Sequence, residues 1–339
     1  MTRMIAPVIF GLEGQQLTSW ERGFFKECEP AGYILFNRNC NHPDQVRRLN
    51  ESLLELSGSD LLPILVDQEG GRVARLGLPH WNIHPPAAHF GALYKINPVR
   101  ALEAVHLTAL AIALELRTCG FTIDCIPLLD VPIDEADPII GDRAYSQDPW
   151  TVANLGAACL DGLNAGGIAG VIKHIPGHGR ALVDSHLELP VVDAPHETIR
   201  DEWLPFYKLA KRATIAMSAH IVYPSLDPGC CATFSSDIIN GVIRDSIGFK
   251  GLLMSDDIGM KALSGSFADR SLRCLDAGCD LVLHCSGDAQ EMEEIAANIR
   301  PAAPDLTKKL DQALAPCREK QDQPALQEII RRRDILLSE

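Results

Sequence analysis

Residues 173–186, KHIPGHGRALVDSH, bring a lysine, three histidines and an aspartate into one short stretch. They follow directly on an apolar run, residues 168–172, that reads as a buried strand. Pro176, Gly177 and Gly179 exclude a helix through the stretch. A loop loaded with titratable groups at the end of a strand is where chemistry commonly sits. Asp184 and His186 stand two apart, so in extended backbone their side chains point the same way and the carboxylate can hold the imidazole. Such a bond fixes the ring's tautomer and raises its basicity, which suits proton transfer near neutral pH. The same spacing also fits a plain surface turn in which both groups meet water. A second group, Asp256, follows the apolar run 251–254. There it can be a carboxylate nucleophile, a metal ligand or the cap of a following helix.

The elements that must position these groups can be read from the spacing of apolar residues. Eight apolar runs stand out, at 8–12, 32–36, 61–66, 121–129, 168–172, 213–219, 251–254 and 280–284. Helical patterns separate most of them, including 98–118, a helix from 149 to the glycine pair Gly166-Gly167, 196–212, 235–247 and 267–277. Residues 78–91, rich in proline and histidine, read as a loop. Alternating strands and helices imply a parallel sheet, and eight repeats imply closure into a barrel. Polar groups cluster after the runs: Asp67 and Glu69, Asp130, Lys173 with His174 and His178, His220, then Asp256 and Asp257. A barrel gathers such ends on one face. The expected fold class is α/β, a single-domain (β/α)8 barrel over residues 1–300. Polar helices at 289–299, 305–314 and 325–337 close the chain, and residues 301–339 are expected to pack on the barrel as an extension of the same domain. An open doubly wound sheet is the alternative, but no GxGxxG follows the first run.

Composition narrows the classes of function. The net charge of −14 and pI near 5.2 argue against binding a phosphate backbone. The amino-terminal stretch MTRMIAPVIFGLEG lacks the apolar core and cleavage site of a signal peptide, and no run is long enough for a membrane span. Eleven cysteines are scattered without a CxxC, as expected of reduced core residues in the cytoplasm. Neither a GxSxG elbow nor a P-loop is present. Metal hydrolysis is the sharpest competing chemistry, since His174, His178, His186, His220 and Asp256 could supply ligands. The HxH that metal-dependent barrels commonly carry after the first strand is missing: Gly11, Leu12 and Glu13 stand there.

Five blocks then match one family in the same order over most of the chain: DQEGGRVARL from Asp67, GDRAYSQDP from Gly141, KHIPGHG with DSH from Lys173, SAHIVY from Ser218, and SDDIGM from Ser255. The chain resembles glycoside hydrolase family 3, and within it the bacterial β-N-acetylglucosaminidases of peptidoglycan recycling. KHxPGHG followed by DxH is the block specific to that group. The resemblance implies a (β/α)8 barrel and a retaining mechanism, with Asp256 as nucleophile and His186 as acid/base oriented by Asp184. It implies that Asp67, Arg75, Arg143, Lys173 and His174 contact the N-acetylglucosamine ring, Asp67 on the outer hydroxyls and the basic residues around the ring and the acetamido side. It implies no metal and no cofactor, a small sugar or muropeptide as partner, and a monomer or homodimer. Ile175 stands where the group usually has phenylalanine, and Ile258-Gly259 replaces leucine-serine. Two other outcomes are carried forward: a phosphorylase using the same glycosyl-enzyme, and a barrel that binds muropeptide without turnover.

Overall fold

The computed structural model describes residues 5–302, 304–318 and 324–338. The first four residues of the amino-terminal stretch and parts of the carboxy-terminal extension lie outside that description. Eight strands, numbered here in chain order, close into a parallel barrel: β1 (Ala6–Gly11), β2 (Pro30–Leu35), β3 (Ile64–Val66), β4 (Ile123–Asp124), β5 (Ala169–Ile175), β6 (Ile215–Ser218), β7 (Leu252–Asp257) and β8 (Leu281–His284). Each strand pairs with its sequence neighbours, and β8 returns to β1. The expected (β/α)8 barrel is the observed architecture.

Alternation within each strand divides the core in two. Ile9, Ile34, Leu65, Ile123, Val171, Ile215, Met254 and Leu283 fill the barrel interior. The opposite phase, including Val8, Phe10, Tyr33, Leu35, Ile64 and Val66, packs outward under the helices. Each such side chain, fully buried, stabilises the fold by roughly 1.5–3 kcal/mol. Leu306, Leu310 and Leu314 from the carboxy-terminal segment belong to the interior cluster, so that segment closes one end of the barrel. The last helix, Leu326–Ser338, lies along the helix Pro98–Thr118, with Ile329 and Ile330 against Leu107 and Leu110.

Several elements differ from the sequence expectation. The run 121–129 yields only the short β4, because Pro127 has no N–H to donate to a ladder. The polar ends are longer than expected: β5 includes Lys173 and His174, and β7 includes Asp256 and Asp257, so these groups sit on strands rather than after them. Within the expected loop 78–91 a helix begins, Ala87–Ile96. Gly91 looks like a helix breaker, yet a Cβ there would stand 1.6 Å from the Tyr145 carbonyl oxygen. It is glycine because another backbone passes against it. The helix expected at 196–212 is broken into His196–Asp201 and Leu204–Leu209, with Pro205 in the first turn of the second piece. Residues Ile238–Ser246 form a π-helix, a register that apolar spacing does not announce. After β3, Gln68–Gly70 and Val73–Ala74 form a hairpin not foreseen from the sequence.

Candidate active site

The interior phase of the barrel generates the site. Stepping two residues past an interior aliphatic on β2, β3, β5, β6, β7 and β8 gives Phe36, Asp67, Lys173, Met217, Asp256 and Cys285. All six line one cavity of about 400 Å³ at the carboxyl ends of the strands. That volume lies within the roughly 300–1,000 Å³ common for small-molecule sites. A register shift between Lys173 and Ile175 interrupts the β5–β6 pairing and lets His174 line the cavity beside its neighbour.

One wall is a chain of alternating charges. Arg75 donates to Asp67 at 3.0 Å, and the Lys173 ammonium reaches Asp67 at 3.0 Å and Glu69 at 2.6 Å. Glu69 in turn accepts two bonds from the Arg143 guanidinium, both 2.8 Å. The Lys173 side chain is only 2% exposed, so its charge exists there because two carboxylates meet it. Burial pushes the Asp67 carboxyl up, but Lys173 and Arg75 outweigh it and hold the group well below the usual carboxylate range. The same opposition, with Lys173 and Arg143, takes Glu69 down to about 2. Burial pulls the Lys173 ammonium down, and Glu69 and Asp67 more than restore it.

A second line of groups leads to Asp256. Fully buried Asp130 accepts the His174 Nδ1–H at 2.7 Å, the His174 backbone N–H at 3.2 Å and that of His178 at 2.6 Å. With Nδ1 so fixed, the His174 Nε2 faces the Asp256 carboxylate at 4.0 Å. Burial raises the Asp256 carboxyl, but His174 and His220 lower it further, leaving the group ionised at neutral pH. Its neighbour differs: burial raises Asp257, whose Oδ1 is spent on the backbone N–H groups of Gly259 and Cys285. The His220 Nε2–H donates to the Asp257 carbonyl at 3.1 Å, holding the end of β7.

Asp184 and His186 meet at the cavity mouth. The His186 Nδ1 lies 2.7 Å from Asp184 Oδ1, which also accepts the His186 backbone N–H at 2.8 Å. The contact expected between them is present, but its origin is different. Leu187 and Glu188 donate back to the Asp184 carbonyl, so the segment is a turn closed by an Asx bond rather than extended chain. The imidazole is 60% exposed while Ser185 between the pair is buried, its hydroxyl 3.0 Å from the His178 Nε2. Burial, helped by His174, lowers His178 to about 4, so this ring is a neutral anchor beneath the turn.

Asp67, Arg75, Arg143, Lys173, His174, His186 and Asp256 all line the cavity, and Asp184 reaches it through His186. Of the other polar groups expected near strand ends, Glu69 and Asp130 carry no role in the sequence reading, and His178 and His220 enter it only as candidate metal ligands. Glu69 links Lys173 to Arg143, and Asp130 sets the His174 ring. The available signal was position alone: both are acidic residues within three positions of the end of an apolar run. Among the described residues, no three His, Cys, Asp or Glu side chains cluster as a metal site.

The family model for the glycosyl hydrolase family 3 N terminal domain matches residues 13–314. A beta-hexosaminidase of Alkalilimnicola ehrlichii is 37% identical over 287 residues, covering 84% of this chain and 81% of that protein. One from Xylella fastidiosa strain M12 is 38% identical over 284 residues, 82% and 83% of the two chains. Among solved structures, NagZ from Neisseria gonorrhoeae in complex with N-trifluoroacetyl-D-glucosamine superposes with a TM-score of 0.87 at 28% identity, covering 98% of each chain. A family 3 beta-N-acetylglucosaminidase from Paenibacillus superposes at 0.85 with 27% identity, covering 97% of this chain and 67% of that one.

Proposed function

Because the chain belongs to glycosyl hydrolase family 3, we propose that it is an exo-acting, retaining β-N-acetylglucosaminidase. Its substrates in this reading are peptidoglycan-derived fragments, GlcNAc-anhydroMurNAc with or without peptide, from which it removes the terminal N-acetylglucosamine. The observation that carries the reading is one cavity holding an ionised Asp256 together with the Asp184–His186 pair. A retaining glycosidase needs a nucleophile and a second group that first gives and then takes a proton. Asp256 attacks the anomeric carbon and the glycosidic bond breaks, while His186 gives its proton to the leaving oxygen. Water then attacks the glycosyl-aspartate, and His186, neutral and oriented by Asp184, takes the water's proton. A histidine in this role is uncharged when deprotonated, so it does not repel Asp256 or an anionic muramyl group. Lys173, Arg75, Arg143 and His174 would donate to the ring oxygens and acetamido carbonyl, and Asp67 would accept from outer hydroxyls. Eleven cysteines, all free, fit a reducing compartment, and the proposed site of action is the cytoplasm.

The experiment is turnover of nitrophenyl N-acetyl-β-glucosaminide with mass spectrometry of the quenched protein. Asp256→Ala should lose at least about 10³-fold in kcat. Wild type should carry an adduct of one N-acetylhexosamine that the variant lacks. His186→Ala should lose about 10²–10⁴-fold, less with nitrophenyl than with the disaccharide because the better leaving group needs less protonation. An active Asp256→Ala enzyme would sink the assignment. Sugar phosphate as the product would make the protein a phosphorylase, and tight binding without product would make it a sensor.

A further inference from the structure

Asp124 has no place in the chemistry above. It ends β4 between the interior residues Ile123 and Cys125, and it is fully buried. Its Oδ1 accepts the Gln68 backbone N–H at 2.9 Å, while Oδ2 has no hydrogen-bond partner among the described residues. Among the described residues no cationic side chain bonds to it. Burial holds the carboxyl well above its ordinary range, exceeding the Gln68 N–H bond and Lys173 that favour the charge, and Asp67 and Glu69 act with it. A charge on Asp124 would be a third carboxylate beside a lysine already shared by two.

Gln68 is the next link. Its side chain is buried, and its Oε1 accepts the backbone N–H groups of Arg75 at 2.9 Å and Leu76 at 3.0 Å. Its Nε2 donates to the Leu76 carbonyl at 2.9 Å. Gln68 thereby ties the two strands of the hairpin that presents Asp67, Glu69 and Arg75 to the cavity. We propose that Asp124 is a positioning residue of the sugar site, an uncharged hydrogen-bond acceptor that fixes Gln68 and, through it, the placement of Asp67 and Arg75. The kinetic part of this inference rests on the glycosidase reading; the spectroscopic part does not.

Asp124→Asn keeps the acceptor oxygen and the shape but cannot ionise, whereas Asp124→Leu removes the acceptor. For an uncharged acceptor, the Asn variant keeps kcat/KM within about threefold of wild type, and the Leu variant raises KM about tenfold or more with a smaller change in kcat. At neutral pH the infrared spectrum of wild type minus the Asn variant shows the carbonyl stretch of a neutral carboxylic acid. Loss of activity in Asp124→Asn as deep as in Asp124→Leu, or no such band, would mean that the charge is what matters and overturn the inference. An unchanged KM in Asp124→Leu would overturn the positioning role. Should the Leu variant fail to fold, the Asn variant and the band decide. An inactive wild type would end the glycosidase reading, and the band together with calorimetric binding of N-acetylglucosamine would still test Asp124.

Discussion

Lys173 carries a full charge to the top of a barrel whose lower layers are aliphatic, and the surrounding carboxylates make this tolerable. Removing it should therefore do more than weaken the proposed sugar binding. In Lys173→Met, Asp67 and Glu69 would face one another with only their arginines, and a buried pair broken from one side costs about 3–5 kcal/mol. Denaturant unfolding of the variant should show a loss of that size at pH 7. The acid limb gives an independent check. Asp67 and Glu69 have native values depressed below their unfolded ones, so their stabilisation is fully present above about pH 4.5 and is lost as pH falls below that toward about 2. Without Lys173 the depression shrinks, so the variant should lose less stability than wild type on acidification. Equal acid limbs would mean that Lys173 does not set those carboxylates. At this scale the sequence was readable where an interior apolar position is followed two residues later by a polar group, as at Asp67, Lys173 and Asp256. Asp130 and Asp124 were not, because their partners come from other strands and only the fold brings them together.

The dyad depends on the segment after β5 more than on its own bond. His186 is held out toward solvent while Ser185, one residue back, is pulled inward onto His178. Ser185→Ala should leave KM for the nitrophenyl substrate nearly unchanged, because the groups proposed to hold the sugar, Lys173 and His174 on β5 and Asp67, Arg75 and Arg143 beyond it, all lie outside this turn. It should lower kcat about tenfold by letting His186, the proposed acid/base, wander, since misplacement of about 1 Å can cost 10²-fold. An unchanged kcat would show that the Asx turn alone positions the ring. The anchor itself is sensitive to acid. The native value of His178 lies near 4, below its ordinary 6.5, so its contribution is present above pH 6.5 and is lost as pH falls toward 4. Over that window the loss is on the order of 3 kcal/mol. A His178→Asn variant should show a correspondingly flatter stability profile between pH 7 and pH 4.5. The type of this element, a glycine-rich loop, was legible from PGHG. Its turn geometry was not, because alternation along an extended chain and an Asx turn both bring residues two apart together.

At the scale of the molecule, the question is whether residues 301–339 are an appendage or part of the folding unit. The interior cluster argues for the second. Leu306, Leu310 and Leu314 pack with Ile5, Ile9 and Leu65 inside the barrel. Burying three leucines is worth roughly 5–9 kcal/mol, against a total stability of about 5–15 kcal/mol for a typical protein. The last helix adds a polar tie, since the Arg333 Nη1–H donates to the His84 Nδ1 at 3.0 Å and the His84 Nε2 meets Glu115 at 2.8 Å. His84 accepts on one nitrogen and donates on the other, so the tie needs the neutral ring. The His84 carbonyl also takes the Gly71 N–H at 2.8 Å, which couples the tail to the hairpin that carries Asp67 and Arg75. A chain ending after Arg300 should therefore fail to give a soluble, cooperatively folded barrel. Arg333→Leu, which removes the tie together with the Arg333–Asp334 ion pair, should fold, lose about 1–3 kcal/mol and show a thermal midpoint lower by a few degrees. The 339-residue chain should unfold in one transition by both near-ultraviolet and far-ultraviolet dichroism. A soluble chain ending after Arg300 with wild-type turnover would make the tail a separate addition, and two resolved transitions would place a domain boundary where the interior leucines argue there is none.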